Sequence, residues 1–283
     1  MNGEKQIITV SGGGRVHCEY FATPAPRGTV LMVNGAFATI TSLHHTIKYL
    51  VEQFNVIAFD LPFAGASREL NPGTGTLEKE REVSILLDLM RIYEPDFAMS
   101  MSWGGVSLLL SLPHRPASLK RVILGSFAPE VTLPMREFIE QSSKLIADGE
   151  YVEVADLFNR TMGRCLPRIF QGLNARYLGE FIPQAKSQIL FHFQHVLSME
   201  LQHYEATLAE IDLPLMFVNG ELDQFTTPES ISRLHLPRAQ IRRECVPGAG
   251  HFLDMEGTSI RRQMRTLLID YLLEGAHAAP EHA

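Results

Sequence analysis

Three stretches of this chain hold side chains able to perform nucleophilic acyl transfer. In FAMSMSWGGVSLLLSL, residues 97–112, a strand-like apolar run ends in Ser100-Met101-Ser102-Trp103-Gly104-Gly105 and passes directly into a helix-like run. Ser102 is left on a strand-to-helix turn with no room for a loop, so its side chain is pushed out over the sheet edge. Ser100 and Gly104, two positions either side, are small enough to allow the turn. The pattern is a G-x-S-x-G nucleophile elbow with serine for the first glycine. The helix that follows points its positive end at Ser102, which favours developing negative charge. Simple helix capping by Ser102 is the plainer alternative.

A serine hydroxyl is a weak nucleophile until a base accepts its proton. In GHFLDME, His251 follows the strand-like run of residues 241–245 and the flexible Pro247-Gly248-Ala249-Gly250, just before the last helix. A histidine so placed can reach over the sheet to Ser102. His44 and His45, near the proposed oxyanion loop, remain possible bases, and His192 and His195, in the helical stretch before residue 210, could line a cavity. In MFVNGELDQF, Asp223 lies just past another strand, where a carboxylate can fix the imidazole tautomer and stabilise its charged form. Glu221, Glu130 and Asp254 are its rivals, although Asp254 suits the start of the last helix. The order Ser102, Asp223, His251 is the one expected of an elbow enzyme. In VLMVNGAFATI, a strand ends at Asn34-Gly35. There the N–H of Ala36, or alternatively of Phe37, would join that of Trp103 in an oxyanion hole.

Elements to position these groups are legible. Short apolar, β-branched runs occupy residues 15–22, 29–34, 55–59, 97–101, 121–125, 215–218 and 241–245. Helical spacing fills residues 42–53, 76–93, 103–112, 228–234 and 256–273. Strands alternating with helices predict an α/β fold, a mostly parallel sheet covered on both faces. Residues 130–210 break the rhythm: they are helical in character and rich in bulky apolar side chains, with Pro167, Gly172, Gly179 and Pro183 expected as breaks. They predict a helical lid inserted into a core made of residues 1–129 and 211–283. Its flanking strands place it at the carboxyl end of the sheet, where open α/β sheets bind ligands. Within it, Arg160, Arg164 and Arg168 recur every four residues, and residues 157–179 hold a fourth arginine, Arg176, and no acid. On one helix face they could meet an acidic carrier protein or coenzyme A phosphates; a solvated helix face is the bland alternative.

Composition narrows the function. A formal net charge of −7 argues against general nucleic-acid binding. Three widely spaced cysteines without CxxC spacing suggest neither a disulfide framework nor a zinc site, and point to reduced thiols in the cytoplasm. No secretory leader and no apolar run long enough to span a membrane is expected.

The blocks VNGAFATITS, FNVIAFDLPFAGASRELNP, SMSWGGVSLLL, FHFQHVL and GHFLDME resemble the α/β-hydrolase family that contains the rhamnolipid-precursor synthase and the 3-hydroxyacyl-ACP:CoA transacylase. The similarity runs through roughly residues 7–273. It implies an α/β-hydrolase fold and an acyltransferase whose triad maps onto Ser102, Asp223 and His251, with Asn34, Gly35, Phe191 and His192 at the substrate. It implies no metal or redox cofactor. DLPFAG looks more like the synthase branch, which joins two 3-hydroxyacyl units from acyl-carrier-protein or coenzyme A thioesters into a 3-(3-hydroxyalkanoyloxy)alkanoic acid. A transacylase, a thioesterase or esterase, and a non-catalytic binding protein on the same fold are the alternatives.

Overall fold

The computed structural model describes residues 3–73, 75–200 and 205–274. Among them, strands β1 (Glu4–Thr9), β2 (Arg15–Phe21), β3 (Thr29–Val33), β4 (Asn55–Asp60), β5 (Phe97–Met101), β6 (Arg121–Gly125), β7 (Pro214–Gly220) and β8 (Gln240–Val246) form one sheet in the order β1-β2-β4-β3-β5-β6-β7-β8. The pairings β1/β2 and β2/β4 are antiparallel, and the rest are parallel. The sequence pattern does not predict β1. It lies at the sheet edge with no fully buried residue, so it lacks the continuous apolar run that marks the central strands.

In the central strands, alternate side chains enter two separate cores, as the two-residue repeat requires. Leu31, Val33, Ala98, Leu124 and Phe217 face one side. There they meet helices α3 (Lys79–Tyr93) and α4 (Gly104–Ser111) through Ile85, Leu86, Leu108 and Leu109. Val30, Met32, Met99, Ile123 and Met216 face the other, against α1 (His44–Leu50) and α9 (Thr258–Leu273) through Ile47, Leu50, Met264 and Leu268. A four-residue helix, α2 (Ser67–Leu70), follows β4. The helical spacing at residues 228–234 is realised as a 3₁₀ segment, Pro228–Arg233.

Between β6 and β7 the described chain is helical: α5 (Leu133–Asp148), α6 (Tyr151–Arg160), α7 (Arg168–Ser198) and α8 (Glu205–Leu208). Two expectations are corrected here. Gly172, Gly179 and Pro183 do not break the chain, because α7 runs through all three. Pro183 removes a single ladder donor, which a helix of this length carries when its apolar side is packed. Only Pro167 marks a boundary, just before α7. Arg160, Arg164 and Arg168 do not share one helix face either: Arg160 ends α6, Arg164 lies in the turn, and Arg168 opens α7.

Asp254 ties the last turn before α9 to α1. Its Oδ2 accepts hydrogen bonds from Thr46 Oγ1 at 2.6 Å and Tyr49 Oη at 2.7 Å, while its Oδ1 has no partner. Burial outweighs those two bonds and raises its pKa from 3.8 to about 6. Between those values the folded chain keeps a proton that the unfolded chain has released. Stability therefore falls as pH rises through the interval, by an amount on the order of 3 kcal/mol. Asp254→Asn should gain on the wild type as pH goes from 4 to 7, and urea unfolding across that range measures the gap. A gap that does not widen with pH would contradict the assignment.

Candidate active site

Ser102 stands between β5 and α4 in the left-handed region, at φ 50°. A non-glycine residue held there costs on the order of 1 kcal/mol or more, so the surroundings must enforce it. Its N–H donates to Gly125 O at 2.8 Å, and its carbonyl accepts from Gly105 N at 2.9 Å. Gly104 is required for a steric reason: a Cβ there would lie 2.3 Å from the carbonyl oxygen of Asn34. The elbow thus presses directly on the end of β3. Gly35 completes the contact, its own missing Cβ 3.3 Å from Ser102 Cβ. Ser100, in the place of the first elbow glycine, is fully buried with its hydroxyl unpartnered.

Two loops bring the other groups. His251 Nε2 lies 3.0 Å from Ser102 Oγ, and His251 Nδ1 lies 2.8 Å from Asp223 Oδ2. An ionised carboxylate can only accept, so Nδ1 carries the proton and Nε2 is left to accept from the serine hydroxyl. Asp223 also accepts from the backbone N–H of Phe225 at 2.8 Å and of Thr226 at 3.2 Å, and from the Thr226 hydroxyl. Burial acts to raise the Asp223 carboxyl. The His251 charge and these hydrogen bonds outweigh it and hold the group below the ordinary carboxylate value. The His251 loop has a clamp of its own: Glu256 accepts from Gly250 N at 2.5 Å and Phe252 N at 2.7 Å, on either side of the histidine. Ser126 donates to the His251 carbonyl at 2.6 Å.

The rival acids and bases lie elsewhere. Glu130 pairs with Arg233, Glu221 accepts from Gly248 N, and Asp254 is committed to α1. His44 is exposed at the start of α1, and the His45 ring packs on Phe170.

After Asn34-Gly35 the chain turns through Ala36 and Phe37, with Ala38 N donating to Gly35 O at 3.3 Å and Phe37 at φ 57°. Among the described residues no protein acceptor takes the N–H of Ala36, Phe37 or Trp103. The Asn34 side chain is buried and donates to Phe59 O at 2.8 Å, with Ser42 Oγ 3.4 Å from its amide oxygen, so it anchors the turn that follows β3.

Helix α7 lies across this turn. The His192 ring sits between Phe37 at 4.8 Å and Trp103 at 4.6 Å, centroid to centroid. Burial, and then the positive charge of Lys79, push the His192 pKa well below its ordinary value, so the ring is neutral at pH 7. Phe191 packs on His195, while Phe181 and Phe193 are the phenylalanines that meet Phe37. Tyr177 donates to Phe37 O at 2.8 Å. The remaining cover reaches the triad loops, through Phe138 on Phe225 and Phe158 on Phe252. Sequence reasoning missed Thr226 and Glu256, whose faint local signal is that each stands within six residues of the groups it holds, and it had Tyr177 only as one of the bulky residues of the helical insertion, with nothing to point to Phe37.

Gly104→Ala should abolish turnover, because its methyl group meets backbone that cannot swing aside. Gly172→Ala, at a helical site with open space, should stabilise the fold by about 0.5–1 kcal/mol. Activity assays and thermal unfolding of the two variants check the contrast.

A family model described as the alpha/beta hydrolase fold matches residues 28–258. The (R)-3-hydroxydecanoyl-ACP:CoA transacylase of Pseudomonas aeruginosa is 33% identical over 96% of this chain and 91% of its own length. The enzyme of the same name from Pseudomonas putida is 34% identical over 96% and 92%. Among solved structures, an esterase from Exiguobacterium antarcticum superposes with a TM-score of 0.77 at 15% identity, over 95% of this chain and 99% of that one. The enol-lactonase from Burkholderia xenovorans gives 0.75 at 16% identity, over 95% and 100%. These two likenesses speak to the fold alone, whereas the transacylases are similar in sequence from end to end. This chain belongs to the α/β-hydrolase fold family, in the group that includes those transacylases.

Proposed function

We propose that this protein is an acyltransferase that joins two 3-hydroxyacyl units, delivered as acyl-carrier-protein or coenzyme A thioesters, into a 3-(3-hydroxyalkanoyloxy)alkanoic acid. The observation that carries the acyl-transfer part is the continuous chain of hydrogen bonds from Asp223 through His251 to Ser102, beneath an apolar helical cover. The 3-hydroxyacyl part rests on similarity to transacylases of that substrate class. The cytoplasm, where such thioesters are made, suits its three unpaired cysteines.

Ser102 Oγ attacks the thioester carbonyl carbon as His251 Nε2 takes the hydroxyl proton. The oxyanion accepts from the N–H groups of Trp103 and Ala36, with Phe37 as the alternative to Ala36. The C–S bond breaks, the thiol leaves with the proton from His251, and an acyl-serine remains. The 3-hydroxyl of a second unit then gives its proton to His251 and attacks the acyl-serine carbonyl. An ester forms as Ser102 Oγ leaves with the proton from His251, and hydrolysis of the second unit's thioester bond, with water as co-reactant, gives the free carboxylic acid and the carrier thiol. No step calls for a metal or redox cofactor.

Water competes for the acyl-serine. Transfer wins where the acceptor is held close and water is excluded, since orientation supplies effective molarities of ~10⁵ M or more. Residues 130–210 are the lid that performs both tasks in this scheme. Gly35 and His192 border the reacting carbonyl, and Phe191 lies further along the acyl path. Each buried methylene contributes about 0.8 kcal/mol, so the apolar lining selects chain length. Arg160 ends α6, Arg164 lies in the turn and donates to Leu222 O at 2.5 Å, Arg168 opens α7, and Arg176 lies further along α7 beside Glu180. They are the contact for an acidic carrier or for coenzyme A phosphates.

A second reading, a coenzyme A thiol as the acceptor, is favoured by the activity for which the relatives are named. The two share the acylation half-reaction and differ only in what attacks the acyl-serine.

Mass spectrometry of products from purified protein given 3-hydroxydecanoyl thioesters of both carriers separates them. Ester dimer is expected, and it should vanish in Ser102→Ala. Swapped thioester would establish transacylation, and free acid alone would establish hydrolysis. Replacing Arg160 and Arg168 by glutamate should raise KM for the carrier-bound donor with kcat nearly unchanged; steady-state kinetics with unaltered KM would remove the carrier contact.

A further inference from the structure

Lys79 opens α3 and is only 1% exposed, an expensive place for an ammonium group. It is anchored there. Its Nζ donates to Glu82 Oε2 at 2.6 Å and to Ser107 Oγ at 3.0 Å, and the Ser107 hydroxyl donates to the same Glu82 oxygen at 2.6 Å. Ser107 belongs to α4, the helix that the elbow starts, so the cluster joins α3 to that helix. The remaining direction of the ammonium faces an aromatic ring: Nζ lies 3.8 Å from the ring centroid of Trp103.

The Trp103 indole has no hydrogen bond to orient it, because its Nε1 is buried without a partner. Its ring packs against the apolar core and meets His192 and His195, and among the described residues Lys79 supplies the one charged contact on its face. A cation over an indole face is attracted by the ring quadrupole, and more strongly when it is desolvated. Two apolar side chains of similar size could fill the place of a buried ion pair at equal or better stability. They would not supply charge to the ring.

We infer that Lys79, anchored by Glu82 and Ser107, is a positioning residue for acyl transfer: its ammonium clamps the Trp103 indole and thereby the backbone N–H that follows the nucleophile. The inference rests on the proposed acyl-serine chemistry, in which that N–H receives the oxyanion. Small displacements there are costly, since misplacement by about 1 Å can lower a rate ~10²-fold.

The decisive variant is Lys79→Met with Glu82→Leu, which removes both charges and leaves neither buried alone. Ser107→Ala is the milder companion, loosening the anchor with the ion pair in place. Acylation is followed as the first-turnover release of thiol from 3-hydroxydecanoyl-CoA, normalised to the sites that a fluorophosphonate labels at completion. Trp103 is the one tryptophan in the sequence, so its emission reports the clamp directly.

The double variant should acylate at least about 10-fold more slowly per site. Its KM should stay within about twofold, and its thermal unfolding should be no lower than that of the wild type. Its emission maximum should shift, and Ser107→Ala should move rate and emission the same way by less. A wild-type rate per labelled site in the double variant overturns the inference, as does an unshifted emission. A loss confined to the number of labelled sites also overturns it, since that marks a structural role alone. Should the double variant not fold, Ser107→Ala decides: a wild-type rate and emission there overturn the clamp. Absence of acyl-Ser102 in the wild type would defeat the proposed chemistry instead, and the emission shift would still test the clamp.

Discussion

Two pieces of backbone meet at the centre of this molecule with no space for a single carbon atom between them. A Cβ on Gly104 would come 2.3 Å from the Asn34 carbonyl oxygen, so the first turn of α4 is pressed against the end of β3. That contact forces Ser102 into the left-handed region and holds the turn of residues 35–37 beside it. The proposed nucleophile and the proposed oxyanion donors are therefore parts of one rigid junction. Everything else near the site approaches that junction from outside.

The groups that approach are held by redundant ties. Asp223 is fixed by two backbone N–H groups and a threonine hydroxyl before it meets His251. Glu256 straddles the histidine loop and grips it on both sides. Both loops lie at the carboxyl ends of strands, where the chain would otherwise be free to move. Buried carboxylates accept several hydrogen bonds at once, which suits them to stiffening a loop whose position must be accurate to a fraction of an ångström.

Above the junction, the helices between β6 and β7 contact Phe37 through His192, Phe181 and Tyr177, Trp103 through His192, and the loops of Asp223 and His251 through Phe138 and Phe158. In the proposed scheme, a thioester attacked under such a cover meets aromatic surface. That environment strengthens every electrostatic contact with the oxyanion, and in the proposed scheme it favours a second acyl chain over water. Beneath the junction, Lys79, Glu82 and Ser107 form a polar pocket within the core on which the Trp103 ring rests.

Local sterics made much of this readable from residues alone. A serine flanked by small residues between a strand and a helix admits few conformations, so Ser102 could be placed on its turn without coordinates. Asp223 and His251 stood out because each follows a strand through a glycine-bearing turn, and apolar runs marked the central sheet. Where burial is partial, that legibility ends. The edge strand β1 has no wholly buried residue, and α7 passes through two glycines and a proline that local propensity would stop at, because packing along its length outweighs them. Nothing in the sequence singles out Lys79 and Glu82 as a pair, or says which group the Asn34 amide meets. Only the folded chain sends that pair into the core under Trp103 and turns the Asn34 amide to Phe59. The sequence by itself determined the sharp turns and the apolar runs, because these depend on neighbours a few residues away. Tertiary structure decided which polar groups lose contact with water and which partners replace it, because those partners come from segments 25 to 149 residues distant in the chain.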